Sequence, residues 1–161
     1  MGEKRRADVK MTGDEVMAFL HEGSNPLSMG SISPTGRIHL VAMWYGFAGD
    51  LVGVQTKAKS QKIQNLRRDP RVTILVESGD TTATLKGVEI VGTAQIVEEA
   101  CDEWRELAAS VLHRYVLKDT PVNELMEGST LEASMYKRVA VLVHPEEIVS
   151  WDHTKIPNGG Y

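Results

Sequence analysis

Apolar positions along this chain change period several times, and each change marks an element. Val16, Phe19 and Leu20 recur at helical spacing. Thr12-Gly13-Asp14-Glu15 ahead of them matches a capping box, in which a hydroxyl and a carboxylate satisfy free backbone N–H groups reciprocally. Met11 and Val16 are placed to staple it. Gly23 and Asn25-Pro26 predict the helix end.

The pattern then turns to strands over residues 27–33, 38–45 and 51–56, separated by Pro34-Thr35-Gly36 and Gly49-Asp50. Connections this short predict an antiparallel meander. Residues 60–69 read as a helix with Ser60 as N-cap, Ile63 and Leu66 inward, and Pro70 as its stop. Strands are predicted over 71–77 and 85–97. In the segment 99–116, Trp104, Leu107, Ala108, Val111, Leu112 and Tyr115 form one apolar helical face, as a core or dimer-contact helix would. A short helix is expected near 123–126. Strands over 138–143 and 148–151, separated by His144-Pro145, complete the set. The fold class is mainly β (α+β): an antiparallel β-barrel with a few helices packed outside it. Nothing divides the chain, so residues 1–161 form a single domain, with 1–10 expected to be flexible.

Composition adds limits. The chain has 161 residues, 42% apolar and 25% charged, as expected of a globular protein with a sizeable core. Its single cysteine, Cys101, cannot form an internal disulfide and reads as inert. No apolar run is long enough for a membrane helix, and the start lacks the apolar stretch of a secretory signal, so a cytoplasmic protein is expected. Net charge is −4, yet residues 57–71 hold six of the 18 basic residues and one acid, Asp69. A compact basic patch on an acidic protein suits a small anionic ligand better than a nucleic-acid backbone.

The patch begins at Thr56-Lys57-Ala58-Lys59-Ser60-Gln61-Lys62, between a strand and a helix. A helix N-terminus is already positive, so lysines there are misplaced unless an anion sits beside them. A phosphate would convert that repulsion to attraction and accept the free N–H groups and the hydroxyls of Thr56 and Ser60. A solvated helix start with lysines directed to water explains the same charges equally well. Arg67, Arg68 and Arg71 lie at the other helix end, where the dipole favours cations without a ligand. Met43, Trp44 and Tyr45 cannot all face one barrel interior, because strand side chains alternate. Either a flat heteroaromatic ring or a core-plus-dimer contact accounts for them. The five scattered histidines have no metal-ligand spacing, and no protein acid, base or nucleophile stands out.

Taken together, residues 11–155 resemble the pyridoxamine 5'-phosphate oxidase-like split β-barrel superfamily. The resemblance is carried by Met29-Gly30-Ser31-Ile32, Leu40-Val41-Ala42-Met43-Trp44-Tyr45, the Thr56–Lys62 peptide and Asn65-Leu66-Arg67-Arg68-Asp69-Pro70-Arg71-Val72. Within it, the chain most resembles the B-type flavin/deazaflavin oxidoreductases, which bind coenzyme F420; Ser150-Trp151-Asp152-His153-Thr154-Lys155 is similar to that group's ending. The resemblance implies a split barrel and a homodimer with cofactor sites at the subunit interface. It implies that Lys57, Ala58, Lys59, Ser60 and Lys62 hold the cofactor phosphate, that Met43 and Trp44 lie near the ring system, and that Trp151 approaches the site. The C-terminal arginine/histidine substrate signature of true pyridoxamine phosphate oxidases is missing.

The function so implied is an F420-dependent reductase passing a hydride to an unsaturated small molecule. FMN presents the same ribityl phosphate, so an FMN-dependent oxidoreductase is the first alternative. A non-catalytic flavin- or deazaflavin-binding protein is the second.

Overall fold

The computed structural model describes residues 7–156. Of the ten residues expected to be flexible, 1–6 lie outside the described ones, while 7–9 are helical and Val9 is buried. The elements are α1 (Gly13–His21), β1 (Leu27–Ile32), β2 (Ile38–Met43), β3 (Gly46–Ala48), β4 (Leu51–Lys57), α2 (Gln61–Arg68), β5 (Arg71–Ser78), β6 (Lys86–Val97), α3 (Asp102–Tyr115), α4 (Val122–Met126), α5 (Ser129–Ser134) and β7 (Arg138–Asp152). A 3₁₀ turn, His153–Lys155, follows β7. No described helix is long and apolar enough to cross a membrane.

The capping box forms as its sequence predicts. The Glu15 amide donates to Thr12 Oγ1 at 3.2 Å, and the Thr12 amide donates to Glu15 Oε2 at 2.7 Å. Gly36 and Gly49 turn the chain with φ of 79° and 56°, values that suit glycine.

All seven strands form one antiparallel sheet in the order β2-β1-β5-β6-β7-β4-β3. This corrects the predicted meander. Strand β4 pairs with β3 and β7, never with β2. The 38–45 run is also two pieces: β2 ends at Met43, and Trp44-Tyr45 lead into the short strand β3. Those two residues join opposite edges of the sheet. Laid flat, seven strands would separate the edges by about 29 Å, whereas the step from Met43 to Gly46 spans at most about 11 Å. The sheet must therefore curl into a half-barrel. Inside the curl lie Met29, Val54, Ile63, Ile74, Val88 and Val141, all at most 2% exposed.

Residues 138–152 are a second correction. They form one strand rather than two, and His144-Pro145 runs through it. Val91 pairs with Glu147 and Gly92 with Pro145, which leaves Glu146 as the extra residue of a bulge. The bulge lets the strand continue past a proline that cannot donate a ladder hydrogen bond.

A second core lies between the outer face of β4 and β7 and helices α3 to α5, around Leu107, Val111, Leu131, Ala140 and Leu142. Helix α3 also closes the sheet edge. The outward amides of β3 and its flanks alternate, and each meets a side chain of α3. The Gly49 amide donates to Glu106 Oε2 at 2.9 Å, Phe47 to Ser110 Oγ at 3.0 Å and Tyr45 to Tyr115 Oη at 3.4 Å. Nine helical residues rise about 13.5 Å, and four strand residues extend about 13.6 Å. The helix thus matches the edge in length and replaces a neighbouring strand.

Candidate functional site

Strand β4 delivers the chain to the basic segment, and α2 carries it away. Thr56 is the last inward side chain of β4 and is buried. The Ala58 amide donates to Lys137 O at 3.0 Å, and the Ser60 amide turns back onto Lys57 O at 3.0 Å. Helix α2 is anchored beneath by Asn65, fully buried, whose Nδ2 donates to Ser31 Oγ at 3.1 Å and whose Oδ1 accepts from Gln61 Nε2 at 2.9 Å.

The start of α2 is rich in unused donors. Gln61 and Lys62 lack acceptors within the helix, as any first turn does, and neither amide has another acceptor among the described residues. Ser60 takes the N-cap position without capping: its hydroxyl is buried and has no partner among the described residues. No acidic residue occupies the first turn. Lys62 reaches back to donate to Thr56 Oγ1 at 3.2 Å, and burial pushes its pKa down from 10.5. None of the ion pairs among the described residues involves Lys57, Lys59 or Lys62. The structure thus gathers Thr56, Ser60 and Lys62 into one cradle, with Lys57 and Lys59 exposed beside it. Donors and cations without carboxylates are what a phosphate requires.

The arginines at the far end are engaged otherwise. Arg67 pairs with Glu98 at 2.7 Å, Arg71 with Asp69 at 2.7 Å, and Arg68 donates to Ile32 O. Hydrogen bonding from Arg71 holds the Asp69 carboxyl down to about 2.

Met43 and Ala58 border the same inner core. Trp44 and Tyr45 link Met43, paired with Leu27 at one sheet edge, to Gly46, paired with Gly53 at the other. Met43 packs on the inner core, whereas Trp44 turns to the helical layer. The Trp44 ring stacks on Tyr115, with centroids 4.9 Å apart and planes 3° from parallel. Tyr115 was read from sequence only as part of an apolar helix face; no local signal pairs it with Trp44. Arg114 clasps the same corner, donating to the Tyr45 hydroxyl at 2.7 Å and to Glu22 O at 3.0 Å. The Tyr45 hydroxyl donates in turn to Leu20 O at 2.7 Å, and burial pushes its pKa up to about 12.

Trp151 stands apart. Lys57 pairs with Arg138 at the start of β7, and Trp151 sits near that strand's end, opposite Gly87. Trp151 and the cradle thus lie toward opposite ends of β7.

The chain is a curled antiparallel half-barrel with a donor-rich turn where strand β4 gives way to helix α2. The chain belongs to the pyridoxamine 5'-phosphate oxidase family, whose model matches residues 12–152. A conserved hypothetical protein from Mycobacterium tuberculosis is 40% identical, with a TM-score of 0.84 over 95% of this chain and 93% of that one. The heme storage protein HutZ from Vibrio cholerae shares the fold at 17% identity, TM-score 0.63, over 88% of this chain and 97% of its own. An F420 reductase does so at 21% identity, TM-score 0.56, over 86% of this chain and 97% of its own. No curated protein matches the chain.

Proposed function

We propose that this protein is a cytoplasmic, homodimeric oxidoreductase that binds coenzyme F420 through the Thr56–Lys62 cradle. The observation that carries this reading is the set of unpaired donors at the start of α2, above all the buried Ser60 hydroxyl without a partner. A ribityl phosphate would take the hydroxyls of Thr56 and Ser60 and the Gln61 and Lys62 amides, with Lys57, Lys59 and Lys62 balancing its charge. Met43 and Trp44 would flank the ring system; they directly precede β3, which pairs with the strand that leads into the cradle. Bound there in reduced form, the deazaflavin would supply a hydride to an unsaturated small molecule, with the accompanying proton drawn from solvent. The protein's part is to bind, orient and exclude water.

Dimerisation is supported by the outer face of β2, β1, β5 and β6. Ile38 and Leu40 are 66% and 67% exposed there. With Leu75 and Val91 they line an open groove of about 540 Å³ that none of the described helices lines. A second copy on this face would bury it and carry Trp151, at the far end of β7 from its own cradle, toward the partner's.

FMN is the second reading, because the cradle addresses only the phosphate that both cofactors share. Fluorescence titrations with F420 and with FMN, repeated on Lys57→Ala, test the proposal. Tight F420 binding that the substitution weakens at least tenfold is expected. Preference for FMN moves the protein to the flavin reading, and binding of neither removes the cofactor assignment. Tight binding without turnover on unsaturated acceptors would make it a cofactor-binding protein.

A further inference from the structure

We infer that Tyr115 is a positioning residue for the cofactor ring, acting through Trp44; the inference rests on the cofactor reading above. Trp44 is 53% exposed, yet its ring is fixed. One face lies on Tyr115, nearly parallel at 4.9 Å. Tyr115 is itself held at both sides of its hydroxyl: it accepts the Tyr45 amide at 3.4 Å and donates to Asn25 O at 3.1 Å. The next residue back, Arg114, places its guanidinium 4.3 Å above the Tyr45 ring and ties the α1 end to the same corner. A tryptophan that served only to fill the helical core would be buried like Trp104, which is 7% exposed. Trp44 instead presents a flat apolar surface to the outside, two residues before Gly46, where β3 begins to pair with β4, the strand that leads into the cradle.

The consequence concerns ring recognition. A stacked platform orients a planar partner offset and parallel to it, the arrangement aromatic rings prefer. Tyr115 removes the rotational freedom that an exposed indole would otherwise lose on binding, so part of the ordering cost falls before the ligand arrives. The cradle would then hold the phosphate end and the Trp44–Tyr115 pair the ring end of one molecule.

The test separates the two ends. Wild type, Trp44→Leu, Tyr115→Leu and Tyr115→Phe are titrated with F420, FMN and ribitol 5-phosphate, the last carrying the phosphate without a ring. Melting temperatures establish that each variant is folded. Trp44→Leu and Tyr115→Leu are expected to weaken the ring-bearing ligand roughly tenfold or more, the size of an aromatic stacking loss. They should leave ribitol 5-phosphate unchanged, and Tyr115→Phe should recover most of the ring affinity. Unchanged ring affinity in Tyr115→Leu, or equal loss for the ring-bearing and ringless ligands, overturns the inference while the cofactor reading stands. Wild-type binding of ribitol 5-phosphate but neither ring cofactor leaves the cradle and overturns the platform. Wild-type binding of none of the three overturns both the platform and the cofactor reading.

Discussion

The indole of Trp151 lies against Gly87 of the neighbouring strand so closely that a β-carbon at residue 87 would fall 2.1 Å from its Cζ2 atom. The glycine is there for space, since the flanking strands are regular. Gly87→Ala should therefore lift the ring off β6 and cost about 1–3 kcal/mol, as overpacking does. The measurement is a chemical unfolding midpoint with tryptophan fluorescence. Adding Trp151→Ala should remove the extra penalty, because the two changes share one contact.

Ser110 provides a second expectation. Its hydroxyl is the acceptor for the Phe47 amide on the outer edge of β3. Ser110→Ala leaves that donor orphaned and should cost about 1–3 kcal/mol. Hydrogen exchange at Phe47 should accelerate. Glu106→Gln should change stability less, because the Gly49 amide it serves is exposed to water and the amide oxygen can still accept.

Lys62 links the cradle to pH. Burial lowers its pKa below the ordinary 10.5, so the folded state disfavours the charged form. The sign follows: this penalty on stability is present below the lowered pKa and is relieved as pH rises through the window up to 10.5. A bound phosphate needs the charged lysine. Phosphate-dependent affinity should thus fall, as pH rises, earlier than an ordinary lysine would lose its charge. Lys62→Met should raise the Tm of the ligand-free protein while weakening ribitol 5-phosphate binding at least tenfold.

Glu15 makes the acid limb of stability specific. Its carboxylate accepts from Lys155 Nζ at 2.5 Å and from the Thr12 amide, and both hold its pKa below 4.5. Stability from these bonds is complete above the unfolded value and is lost as pH falls through the folded one. Glu15→Gln should flatten the decline of the urea midpoint between neutral and acidic pH, and it should loosen the 3₁₀ turn that Lys155 ties to α1.

Much of this was legible in the sequence wherever the signal is local. Thr12 and Glu15 lie three residues apart, so the capping box could be read directly. Gly36 and Gly49 announced their turns, and the Thr56–Lys62 segment announced a charge conflict that the unpaired Ser60 hydroxyl now sharpens. What escaped was non-local. The 38–45 run is apolar except for His39, and nothing in it states that Trp44-Tyr45 cross from one sheet edge to the other. His144-Pro145 looked like a break because the bulge that accommodates it depends on Gly92 of another strand. Tyr115 looked like one more core residue because its partner Trp44 is distant in sequence. Periodicity reports which face is apolar, and only tertiary packing decides what that face meets.

The three donations from β3 to α3 carry a further consequence for life in a crowded solution. A short edge strand with free amides is a template on which another chain can add a strand and seed aggregation. Here Glu106, Ser110 and Tyr115 occupy those amides, so recruitment first requires the helix to peel away. Resistance to aggregation at this edge is thereby set by the local stability of α3, and it would disappear wherever that helix detaches from β3.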